Sequence, residues 1–93
     1  MNQVIDLPNL LYIMQELVKE RCYTDEEVDI SFRKDYQDLA TITVWHHSKE
    51  YPYGCKYSDI KEGDCIDSAY QKLEVVKHLM KNGGLLNELQ DRA

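Results

Sequence analysis

Reactive chemistry in this chain would have to come from three cysteines and three histidines. His46 and His47 are adjacent, His78 stands alone, and Cys22, Cys55 and Cys65 are spaced by 33 and 10 residues. Zinc requires about four nitrogen, sulfur or oxygen ligands, for which His46, His47, Cys55, Cys65 and His78 are the candidates. Consecutive residues on a strand point to opposite faces, so His46 and His47 cannot easily share one ion. The chain contains neither a Cys-x-x-Cys nor a His-x-x-x-His pair. The plainer expectation is two polar rings exposed at a strand end and cysteines acting as small core residues. A thiol nucleophile fares no better. Cys65 lies where a helix should begin, yet the carboxylates of Asp64 and Asp67 flank it and disfavour a thiolate. Gly54, Gly63, Gly83 and Gly84 make no phosphate-cradling loop. The stretch Asp59-Ile60-Lys61-Glu62-Gly63-Asp64 has the wrong spacing for a calcium loop. A carboxylate pair for glycoside chemistry would need an apolar cleft that so small a chain rarely builds. No catalytic residue, metal or cofactor is therefore expected.

Charge points elsewhere. Seventeen acidic against eleven basic residues give a net charge of -6 over 93 residues. That balance argues against a nucleic-acid-binding surface, which needs clustered Lys and Arg, and against anionic membranes. Residues 24–38 hold Asp25, Glu26, Glu27, Asp29, Asp35 and Asp38 against Arg33 and Lys34, and residues 59–67 hold Asp59, Glu62, Asp64 and Asp67 against Lys61. Carboxylates gathered around one hairpin would attract a basic partner and speed its encounter. Seven tyrosines and one tryptophan beside a single phenylalanine favour contact surfaces over deep cores. Trp45, Tyr51 and Tyr53 are the expected anchors.

These residues must be positioned by elements that the periodicity predicts. A helix over 8–21 starts at Pro8 behind a cap at Asp6, with Leu10, Leu11, Met14, Leu17 and Val18 inward and Gln15, Glu16, Lys19 and Glu20 outward. Val28, Ile30 and Phe32 then alternate with polar residues, and a β-branched run over 39–46 turns Ile42 and Val44 inward. The short link between them implies an antiparallel hairpin. Tyr51, Tyr53, Cys55 and Tyr57 share one parity and suggest a third, edge strand over 51–57, because Pro52 cannot donate to an internal ladder. A second long helix spans 65–81, capped by Asp64 or Asp67, with Ile66, Ala69, Tyr70, Leu73, Val76 and Met80 as its stripe and Asn82-Gly83-Gly84 as its stop. Leu85, Leu86 and Leu89 suggest one more short helix.

The fold class expected is α+β in two layers: a helix, an antiparallel sheet of two or three strands, then one long and one short helix, in a single domain over 1–93. This order resembles the double-stranded-RNA-binding domain. That family begins its second helix with a lysine-rich turn, whereas Gly63-Asp64-Cys65-Ile66-Asp67-Ser68 is acidic here, so RNA binding is not expected. In size, acidity and tyrosine content the chain is similar to small phage-encoded inhibitors, including anti-CRISPR proteins that mimic DNA. The resemblance implies a non-catalytic interaction module that inhibits a basic, nucleic-acid-binding protein. A structural or regulatory subunit with an apolar helical contact face, or a small zinc-binding domain, is the alternative. An odd cysteine count gives no disulfide framework, although Cys55 and Cys65 are near enough in sequence to pair. Reduced thiols, and Met1–Asp6 without a basic leader region, suggest the cytoplasm.

Overall fold

A computed structural model describes residues 3–86. In chain order they form α1 (Leu7–Arg21), β1 (Val28–Lys34), β2 (Ala40–His47), β3 (Cys55–Lys61) and α2 (Ile66–Asn82). The strands make one antiparallel sheet in the order β1-β2-β3, so the expected hairpin and third strand are both present. Ile42 stands between Phe32 and Ile60, and Val44 between Ile30 and Ser58. Both helices cover that face. Ile42, Val44, Ile60 and Val28 pack beneath Leu10, Ile13 and Leu17 of α1 and Leu73, Val76 and Leu79 of α2. The architecture is the expected two-layer α+β class.

Short peptide contacts fix how the helices run. Ile5 N–H donates to the Asp64 carbonyl (2.8 Å), Gly63 N–H to Ile5 (2.9 Å) and Ile66 N–H to Gln3 (3.0 Å). The residues before α1 and those before α2 are thus paired, and the two helices set off side by side. Tyr70 Oη donates to Asn9 Oδ1, Lys77 pairs with Glu16, and Lys81 with Glu20. Each pair is 61 residues apart, which a parallel, in-register helix pair requires. Glu16 and Glu20, like-charged neighbours on one helix, therefore each find a lysine on the other.

Several expected details change. The stripe of α1 is Leu10, Ile13 and Leu17, while Leu11 and Val18 are exposed and Glu16 and Glu20 face α2 instead of solvent. Phe32 remains 38% exposed at the outer end of an edge strand, where neither helix covers it fully. The third strand runs over 55–61, and residues 51–54 form the turn before it, where Gly54 adopts a φ of 80°. Asp6 caps α1 through the Asn9 N–H, but α2 starts at Cys65 without a side-chain cap, so neither Asp64 nor Asp67 does that work. Asp64 instead accepts from the Lys61 N–H (2.9 Å) and closes the loop after β3. Gly83 ends α2 with a φ of 79°, as its residue type suggested. Cys22 and Cys65 are exposed, Cys55 is half-buried, and all three are free thiols, so they are neither a core nor a bridge. Of the expected short final helix, the half-buried Leu85 and the buried Leu86 are described, and Leu89 lies outside the described residues.

Burial ranks the hydrophobic residues for a direct check. Ile42→Ala should cost about 2–5 kcal/mol through its cavity, and Phe32→Ala well under the roughly 3–5 kcal/mol of a buried phenylalanine. Urea unfolding of both variants measures the difference, and equal losses would contradict the packing.

Candidate interaction surface

The β2 sequence puts His46 on the helix side of the sheet and His47 on the other. His46 is 2% exposed, between Val28 and Lys56 in the sheet register. Its Nε2 is 2.9 Å from Glu26 Oε1 and its Nδ1 2.7 Å from Tyr51 Oη. A carboxylate can only accept, so Nε2 carries a hydrogen toward Glu26, and in the neutral ring Nδ1 accepts the Tyr51 hydroxyl hydrogen. The Tyr51 oxygen in turn accepts the Leu86 N–H (2.8 Å). One buried network thus joins the α1–β1 loop, the β2–β3 turn and the chain after α2. No buried side-chain polar atom among the described residues lacks a partner. This overturns the expected exposed His46 and corrects the role of Tyr51. At 4% exposure, Tyr51 is a structural hydroxyl and cannot anchor a partner.

The acidic residues divide. Asp35 and Asp38 sit in the β1–β2 turn, about 20 Å of strand away from Asp25, Glu26, Glu27 and Asp29. Asp35 Oδ1 accepts from the Gln37 and Leu39 N–H groups, and Asp38, with a φ of 64°, pairs with Lys34 (3.3 Å). They shape the turn and do not gather with the other four, contrary to the sequence expectation.

Asp25, Glu26 and Glu27 stand at the opposite end, where the parallel helices also bring both of their C-termini. Thr24 Oγ1 donates to the Met80 carbonyl (2.6 Å), and Gly83 lies 3.8 Å from Glu26 Oε2 when its missing Cβ is built. Between the loop and the end of α2 is a groove of about 410 Å³, lined among others by Glu20, Tyr23, Asp25, Glu26, Lys81 and Gly83. Carboxylates and the negative ends of two helix dipoles meet there. Lys81 pairs with Glu20 and Arg21 donates to the Val28 carbonyl, and the carboxylates of Glu20, Asp25, Glu26 and Glu27 outnumber these two cations, so the field is negative. Tyr23 projects at 85% exposure, and Tyr53 at 93% from the β2–β3 turn at the same end. Tyr23 was not visible as a candidate, because only the helix ends show what it borders.

Among the described residues no helix covers the sheet face away from α1 and α2, although its own side chains leave Thr43 at its centre only 3% exposed. Trp45 lies there as expected, 37% exposed and tilted against Tyr57 with ring centroids 5.0 Å apart. Asp29, opposite Trp45, bonds His47 (2.9 Å), and Thr43 donates to Asp59 (2.7 Å). His47 and Cys55 are cross-strand partners, but among the described residues no group of three or more His, Cys, Asp or Glu side chains is arranged to hold a metal.

Comparison of the chain with family models, curated proteins and solved structures finds no match. Among the described residues no helix is long and apolar enough to cross a membrane.

The buried network makes its own forecast. Tyr51→Phe removes the acceptor of Leu86 N–H and the donor to His46, and should cost about 1–3 kcal/mol. His47→Ala, on the open face, should cost under about 1 kcal/mol. Thermal unfolding of the two variants reads the contrast, and the reverse order would contradict the assignment.

Proposed function

We propose that this chain is a small, non-catalytic interaction module, an inhibitor-type protein that engages a basic, nucleic-acid-binding partner at its acidic end as a DNA mimic does. The observation supporting this is the convergence of Glu20, Asp25 and Glu26 with the C-termini of the two parallel helices around one groove, with the exposed Glu27 next along the same loop. Carboxylates can replace phosphates because Arg and Lys bind both through charge-assisted hydrogen bonds. Glu26, held by His46, is a fixed member of the set, whereas Asp25 and Glu27 are exposed and free to reach a partner. Such charges act mainly on association rate and weaken with salt over a Debye length of about 8 Å. Tyr23 and Tyr53 flank the carboxylates and supply amphipathic rings to slow dissociation.

A second reading has one observation in its favour. Leu11, Tyr12 and Val18 are exposed along α1, an apolar strip suited to a helical contact in a structural or regulatory subunit.

A fluorescent arginine-rich peptide titrated across a salt series discriminates the readings. Asp25→Asn with Glu27→Gln should weaken binding about two- to thirtyfold, given roughly 0.2–1 kcal/mol for each of the two exposed charge pairs. Asp38→Asn with Glu74→Gln removes the same charge elsewhere and should leave affinity nearly unchanged. Equal losses for both pairs would mean only net charge is felt. Loss on Leu11→Ser with Val18→Ser instead would favour the apolar reading.

A further inference from the structure

We propose that the open face of the sheet is a self-association surface that takes a second copy of this chain, related by a two-fold axis running across the strands at the level of Thr43. The inference is independent of the acidic-end reading and rests on the strand register. Three full cross-strand rows form the centre of the face, Asp29-Trp45-Tyr57, Ser31-Thr43-Asp59 and Arg33-Thr41-Lys61, with the pair His47-Cys55 beyond the first. An axis along the middle row lays the first row of one copy over the third row of the other. Asp29 then meets Arg33, Tyr57 meets Lys61, and Trp45 covers Thr41, each twice. These are an ion pair, a cation–π contact and an aromatic ring on a methyl group. Packed sheets stand about 10 Å apart, a gap that Arg and Lys side chains span toward a facing Asp or Tyr.

Charge selects both the surface and its orientation. The chain carries a net charge of -6, so two copies repel each other in general. On this face Asp29 and Asp59 are balanced by Arg33 and Lys61, and the repulsion is locally removed. The middle row brings Asp59 toward its own copy. Its carboxylate already accepts the Thr43 hydroxyl, and Lys61 lies two residues along on the same face. Turning the axis along the strands would instead set Arg33 against Lys61. The isologous arrangement is therefore the one with the axis across the strands. It leaves both acidic ends uncovered, at opposite extremes of the pair.

The face is small. Three strands of seven or eight residues offer a footprint on the order of 300 Å², below the roughly 800 Å² per partner of a standard interface. The pair should therefore form and dissociate readily, with its population rising between micromolar and millimolar protein.

Sedimentation velocity over that range tests the proposal, with Trp45 emission recorded on the same samples. The dimer fraction should grow with concentration while the emission shifts to the blue as the ring leaves water. Asp29→Arg or Arg33→Asp alone places like charges opposite each other and should abolish the dimer. The two substitutions together in one chain restore opposite charges across the axis and should bring it back. A monomer throughout, a dimer whose tryptophan emission does not move, or a double variant no better than the single ones would overturn the proposal. The emission of the unsubstituted protein decides the matter even where a swapped variant fails to fold.

Discussion

Ahead of each long helix the chain is pinned to the other one. Gln3 and Ile5 exchange backbone hydrogen bonds with Gly63, Asp64 and Ile66, so α1 and α2 must begin at the same end of the sheet. A helix rises about 1.5 Å per residue, so helices of 15 and 17 residues that start together also finish close together. Parallel alignment places like dipole ends side by side, a small electrostatic cost. Glu16 with Lys77 and Glu20 with Lys81 tie the helices along their length. With both helices committed to one face, the other face of the sheet is left open, and both helix C-termini are delivered to the loop carrying Asp25, Glu26 and Glu27. The two surfaces proposed for contact follow from that one constraint.

The acidic end is not simply a mobile charged loop. Glu26 is held by His46, and Thr24 by the Met80 carbonyl, so the loop is fastened to the sheet on one side and to α2 on the other. His46 is also bonded to Tyr51, whose oxygen accepts from Leu86. In the proposed contact with a basic groove such fixing helps, because less side-chain and loop freedom is lost on binding. The histidine that looked most chemical in the sequence is thereby explained as a structural junction in the fold.

Most of the fold was legible in the sequence because its signals are local. Pro8 behind Asp6, the alternation at Val28, Ile30 and Phe32, the β-branched second strand and Gly83 each announce an element from a few neighbours. Where several local solutions coexist, only tertiary context decides. Apolar residues at 10, 11, 13, 14, 17 and 18 make two overlapping stripes on α1, and the position of α2 selects the one through Ile13. The tyrosine parity over 51–57 caught Tyr57 but placed the strand early, because β3 is an edge strand with Lys56, Asp59 and Lys61 in it and little apolar signal. The His46 network joins residues 20 and 5 positions away in sequence, beyond any periodicity. Adding charges along the sequence likewise merged Asp35 and Asp38 with a cluster that a whole strand separates from them.

The proposed partner contact lies at the end where the two helix C-termini and the Thr24–Glu27 loop converge. The most direct measurement is the change in amide chemical shifts of the isotope-labelled chain on titration with an arginine-rich peptide. The perturbed amides should cluster at residues 22–27 and 80–84, with the β1–β2 turn silent. Perturbation centred on that turn, or spread evenly over every exposed carboxylate, would contradict the proposed contact.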